Sequence, residues 1–324
     1  MKTAYLYIPA LLAALLTSAA LHAGDLDPTP DEARKLRSLR RLKGTIVWGS
    51  NRGGDWDIYA SPLDMSDIKK LTNKRGADLR PRFSPDGKRI LFIREARATD
   101  PKAKHKWDVW TMNPDGTGQK RIVTDGAMPA WAPDGKSVVF VRDQKVWRHD
   151  LGADYRPTLV IDTTRKPLNG REVYLPAIDR RSRRLAVTTS LDKNPRVRLV
   201  TLDLDKEKIV FTDKGQQIAW DNEAKFVYWI APEGGGGRSI VTHYPDTGAR
   251  GKLVDLPEPW TVEDSPRLVG NNGWVAMAVG ATKDNVGRGN TELFLWQRGH
   301  DPEDAIRLTF DRGVDQTPDV WIGK

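Results

Sequence analysis

Pro81-Arg82-Phe83-Ser84-Pro85-Asp86-Gly87-Lys88, with Ile90-Leu91-Phe92-Ile93 close behind, is the stretch on which the reading of this chain turns. After a basic loop come Trp107-Asp108-Val109-Trp110-Thr111-Met112 and Asn113-Pro114-Asp115-Gly116, and Arg121-Ile122-Val123-Thr124 ends the unit. The β-branched and aromatic runs have strand length. Pro-Asp-Gly suits the tight turns between them, because Pro presets φ, Asp bonds the local backbone and Gly takes φ > 0 freely. Asp78 to Thr124 therefore reads as four short strands, one blade of a β-propeller.

Working outward, the last strand of this unit recurs. Ile68 to Thr72 and Lys120 to Thr124 are matched by Thr158 to Asp162, Lys208 to Thr212, Lys252 to Asp255 and Ala305 to Thr309. The ends lie 38 to 54 residues apart, which is the spacing of four-stranded propeller blades. First strands stand at Pro81–Phe83, Pro129–Trp131, Pro176–Ile178, Ile218–Trp220 and Pro266–Leu268. The unit at Gly44 starts directly with its second strand, Thr45 to Trp48, and a spare first strand, Pro318 to Ile322, stands at the C-terminus. The expected fold is all-β: a six-bladed β-propeller of four-stranded blades over residues 44–324. Thr317 to Ile322 is expected to close the ring and remove an open edge.

Lys2, the apolar Tyr5 to Leu16 and the small residues after them predict a secretory signal over 1–23, cleaved after Ala20 or Ala23. Residues 24–43 form an N-terminal extension with a short amphipathic helix. Thr29 can cap it, Pro30 fits its first turn, and Glu32 completes a capping box. Leu36, Leu39 and Leu42 recur at helical spacing and predict one docked apolar stripe.

The chain has 324 residues, a formal charge of +9, a pI near 9.6 and no cysteine, so disulfides are excluded. Removal of the signal takes away Lys2 alone and leaves +8. Export predicts a periplasmic location with no transmembrane anchor after cleavage, and a monomer. The positive balance favours an acidic partner, a protein or an acidic glycan, and an exported chain does not meet nucleic acid. Most of the twelve tryptophans fall in strands and should pack between blades. Trp260, in Pro257-Glu258-Pro259-Trp260, is expected as an exposed loop contact.

The runs Pro81 to Lys88 and Pro129 to Lys136, with the Trp107 to Trp110 and Asp57 to Tyr59 strands, resemble the repeat of TolB-type propellers. The likeness is strong in blades one to three. It blurs later, where Asp179-Arg180-Arg181-Ser182 and Asp221-Asn222-Glu223-Ala224 replace Ser-Pro-Asp-Gly. It implies a periplasmic, TolB-like protein of the cell envelope. TolB carries an α/β domain before its propeller, where this chain offers only Gly24 to Lys43.

Two places invite binding. In each blade, the loop joining strands two and three emerges at the same end as the inter-blade loop. Arg94 to Lys106, with Arg94, Arg97, Lys102, Lys104 and Lys106, is the longest and most basic of them. The other place is the axis. The residue after the proline position in each first strand runs Asp319, Arg82, Ala130, Ala177, Ala219, Arg267 around the ring. If it faces the channel, Arg267, Asp319 and Arg82 line one wall, either as an ion-pair network closing the ring or as a clasp for a carboxylate or phosphate.

Catalytic motifs are scarce. His22, His105, His149, His243 and His300 show no metal-ligand spacing, and Glu233 to Arg238 lacks the ending of a phosphate loop. Glu172, Glu263, Asp264, Asp125, Asp78 and Asp315 lie near first strands, as turn caps and rim partners or as a ring of metal ligands. No cofactor, metal or catalytic residue is assigned. The expectation is a non-enzymatic periplasmic scaffold that takes a periplasmic or outer-membrane-associated partner on its basic loop face. The competing expectation is a lyase or hydrolase for acidic sugars or lactones at the channel mouth.

Overall fold

The computed structural model describes residues 27–102, 106–152, 156–191, 194–231, 239–257, 260–281 and 291–323, so the expected signal segment lies outside the described residues. Within them, twenty-four strands form six four-stranded antiparallel sheets. Each is one blade, and five of the six are continuous in sequence. Blade one is composite: Asp315–Ile322 pairs with Gly44–Ser50, placing the C-terminal strand innermost. The expected closure is what the chain does.

The closing strand is held by side chains as well as by its ladder. The Trp48 indole donates to Asp315 Oδ1 at 3.0 Å, and Arg52 Nη2 reaches both oxygens of the same carboxylate at 2.9 and 2.8 Å. Gly87, at φ 70°, turns the first hairpin of blade two so close to Trp321 that a Cβ there would strike the indole. Glycine is needed at that turn for its conformation and for this approach.

Outer strands are tied by a repeated polar device. In blade one, the Ile58 N–H donates to Thr72 Oγ1 at 2.9 Å, Thr72 donates to Asp57 at 3.1 Å, and Lys70 pairs with Asp57 at 2.6 Å. Blade six repeats it: the Leu293 N–H reaches Thr309, Thr309 reaches Glu292 at 2.6 Å, and Arg307 pairs with Glu292 at 3.1 Å. These buried polar groups satisfy one another, so the outermost strand stays attached although it is only two residues long in both blades.

Apolar residues from facing sheets meet between blades. Val47, Ile58 and Phe83 join Phe92 between blades one and two, and Trp220 and Trp229 join Ala186 and Leu199 between blades four and five. The helix Pro30–Ser38 has its capping box, Glu32 N to Thr29 Oγ1 at 3.3 Å and Thr29 N to Glu32 Oε2 at 2.9 Å. Its Leu36, with Leu39 and the partly buried Leu42 just beyond, joins the core between blades six and one. The leucine stripe is docked.

One feature of the innermost strands was not expected. Each ladder between first and second strand slips by a bulge just before the axis. Arg80, Met128, Leu175, Gln217 and Thr317 sit there with φ between 50° and 60°. Four of these five precede a proline, which has no N–H to leave unpaired where the ladder is broken.

Candidate functional site

The ring of bulges sets the axis. Arg82, Ala130, Ala177, Ala219 and Arg267 all line one small cavity of about 70 Å³ that opens to solvent. These are the positions after the proline site. Arg80 lines it too, from the bulge of blade two. By the order of the blades, the arginines occupy one wall, and the alanines, with Pro129 and Pro176, face them.

Asp319 lies at the centre of the charged wall and is almost fully buried. Its Oδ2 accepts from the Phe83 N–H at 2.7 Å, and its Oδ1 accepts from Arg267 Nε at 3.2 Å. One carboxylate on blade one thereby holds blades two and six. Arg82 Nη1 donates to the Pro81, Thr317 and Pro318 carbonyls at 2.8, 2.9 and 3.4 Å. Burial and the neighbouring Arg267 charge pull the Arg82 pKa down to about 10, against the pull of Asp319 and Asp264. Among the described residues Arg80 makes no ion pair, and its Nη1 is buried without a hydrogen-bond partner. Arg80 stands before the proline rather than after it, and the bulge is what brings it to the cavity beside Arg82. The X-Pro dipeptide repeated in five first strands is the signal that points to the bulge.

At the loop end, Arg94 is corrected. It lies in the strand Ile90–Glu95 and is 2% exposed, with Nε and Nη2 on the two oxygens of Asp78 at 2.7 Å each. The guanidinium also stacks over Trp110 at 4.7 Å. A buried guanidinium paired bidentately between two strands holds the blade together and is out of reach of a surface partner. Arg97, on the one-turn helix Ala96–Thr99, and Lys102 and Lys106 are exposed, and Lys106 lies over the Trp107 ring at 5.2 Å. Lys104 lies outside the described residues. Trp260 is 40% exposed, but it begins the strand Trp260–Val269 and leans on Phe294 at 5.9 Å, so it is a strand residue and not a loop one.

The loops at this end are uneven: in blade three Asp143 and Gln144, both at positive φ, turn strand two into strand three in two residues. Cations also gather at the opposite end, where Arg180, Arg181 and Arg183 are exposed in the first hairpin of blade four.

The acidic residues near the first strands do not converge. Asp78 serves Arg94, Asp315 serves Arg52, Glu172 accepts from the Tyr174 hydroxyl, and Glu263 accepts from Thr261 at 2.6 Å. Among the described residues no group of three or more His, Asp or Glu stands together as metal ligands. His243 stacks on Phe211 at 3.9 Å, and His149 is buried in another blade. His105 and the Glu233 to Arg238 loop lie outside the described residues. No described helix is long and apolar enough to cross a membrane.

No protein-family model matches the chain. A TolB homolog from Chlorobium luteolum is 39% identical over 62 residues, which is 19% of this chain and 14% of that protein. TolB from Acinetobacter baumannii superimposes with a TM-score of 0.64 at 14% identity, over 86% of this chain and 67% of that one. A putative TolB from Agrobacterium tumefaciens gives 0.55 at 10% identity, over 87% and 99%. The chain has the TolB-type six-bladed propeller fold.

Proposed function

We propose that this TolB-like propeller is a non-enzymatic binding protein of the cell envelope, exported to the periplasm, that takes an acidic protein partner on the loop face of blade two. The fold supports a scaffold or binding role. The observation that carries the finer reading is the group Arg97, Lys102 and Lys106: three exposed cations within ten residues, none in a salt bridge among the described residues. They sit on a loop mounted on a rigid blade, at the end of the propeller that also presents the exposed Trp260. Of the other cations at this end, Arg94 and Arg52 are consumed internally. Free cations steer an acidic partner and fix its orientation, and that attraction weakens with salt.

The test is capture from an envelope extract by the mature chain, with bound proteins identified by mass spectrometry. Arg97→Glu with Lys102→Glu and Lys106→Glu should weaken the complex by about tenfold or more, as expected when several complementary charges become like charges. A partner held equally well by the reversed variant, at low and at high salt, would overturn the reading.

A further inference from the structure

We infer that the axial cavity is a binding site for a small carboxylate with a short apolar body, distinct from the loop face. Three observations converge. The first is charge. Arg80, Arg82 and Arg267 stand at one wall, and the acids beside them are Asp319 and Asp264. Three guanidinium groups against two carboxylates leave one positive charge in excess, in a part-buried place where water screens poorly.

The second is donor capacity. Both oxygens of Asp319 are already taken, by Phe83 and by Arg267 Nε. Among the described residues Arg82 spends only Nη1, on carbonyls, and Arg267 spends only Nε. Arg80 spends nothing, and its Nη1 is buried without a partner. Leaving such a donor unpaired is costly, whereas a carboxylate accepts from guanidinium forks in pairs.

The third is the facing wall. Ala130, Ala177 and Ala219 present methyl groups and leave room. The room is small, about 70 Å³, below the range of sites for drug-sized ligands, so the apolar body is limited to a few carbons. One wall therefore takes an anionic head and the other an apolar body. The same chemistry can come from a free small acid or from the C-terminal carboxylate of a peptide.

The test is ligand-observed NMR on the purified mature chain with four probes: butyrate, 1-butanol, and tri-alanine with a free or an amidated C-terminus. Butyrate should bind and 1-butanol should not. Free tri-alanine binding better than butyrate assigns the carboxylate to a peptide end, and the reverse assigns it to a free acid. Arg80→Gln should raise the Kd of the bound probe about tenfold, the effect of one lost charge-assisted hydrogen bond. It should leave Tm in place, since Arg80 has no bond to lose. Ala219→Leu should abolish binding by filling the cavity with no change of charge. The loop reversals Arg97→Glu, Lys102→Glu and Lys106→Glu should leave probe binding in place, so failure here and failure of the loop-face reading are told apart. The inference is overturned if no carboxylate binds, if 1-butanol binds as well as butyrate, or if Arg80→Gln and Ala219→Leu both bind like the unmodified chain.

Discussion

Removing the Asp319 carboxylate tests how the ring is fastened. Asp319→Ala leaves the Phe83 N–H, held at 2.7 Å, without its partner in a buried place, and an unsatisfied buried donor costs about 2 kcal/mol. It also releases Arg267, whose side chain is one-third exposed and regains water, so that pair adds only about 1 kcal/mol. The expected loss is about 3 kcal/mol. At roughly 2–3 °C per kcal/mol for a domain of this size, Tm should fall by roughly 6–9 °C. Urea unfolding followed by tryptophan fluorescence gives the free energy directly, with an unchanged slope against denaturant. Asp319→Asn keeps one carbonyl acceptor and should lose only about 1 kcal/mol. Arg267→Ala combined with Asp319→Ala should cost about 1 kcal/mol less than the sum of the two, since the pair is counted twice. The reasoning fails if Asp319→Ala lies within about 0.5 kcal/mol of the unmodified chain, the spread of ordinary surface substitutions, or if the Asn and Ala variants lose the same amount.

Arg94→Ala strands Asp78 as a buried lone carboxylate, so urea unfolding should show a loss of about 3–5 kcal/mol, while partner capture from envelope extract by the folded variant stays intact. Burial pushes the Glu292 pKa from its ordinary 4.5 up to about 7, despite Thr309 and Arg307. The folded chain then holds this proton more tightly than the unfolded one. Its contribution is complete below pH 4.5 and is lost as pH rises through 7, by about 3 kcal/mol in all. Glu292→Gln should therefore gain on the unmodified chain between pH 5 and pH 8 in parallel melts, and a constant difference refutes the shift. A chain ending before Asp315 loses the innermost strand of blade one and, with Asp315, the shared partner of Trp48 and Arg52 on that strand. Calorimetry should show a lower, broader transition, and unchanged melting excludes the closure as a source of stability.

The repeat was legible because its punctuation is chemical. Pro-Asp-Gly and the Thr at the end of outer strands each do a job in the blade, and so they recur at readable spacing. The closing strand was legible by counting, since five first strands served six units. Position relative to the axis was legible because one residue after each proline faces inward. The bulge was not legible. A residue before proline is biased toward extended φ and ψ, so Arg80, Met128, Leu175 and Thr317 read as ordinary strand, whereas the ring holds them at positive φ. Arg94 misled for a related reason. Its charge and its place at the edge of a basic loop read as solvent-facing, but its partner, Asp78, lies sixteen residues back on the neighbouring strand. Pairing across a ladder depends on register, which a single sequence does not display.

Sequence reading posed the axial arginines as alternatives, a network that closes the ring or a clasp for an anion. Atom by atom the two roles separate. Closure consumes both oxygens of Asp319, one nitrogen of Arg267 and one nitrogen of Arg82. A clasp needs donors that closure leaves over, and those are the remaining nitrogens of the same two side chains together with all of Arg80. The closing contacts hold Arg82 and Arg267 in fixed rotamers, which removes the entropy a loose arginine loses on binding. Network and clasp are then one arrangement, with closure orienting the donors that closure does not use. It follows that Asp319→Ala should weaken carboxylate binding even though it adds positive charge to the cavity, because the guanidinium of Arg267 is no longer held. A tighter complex in that variant would mean that charge alone governs the site.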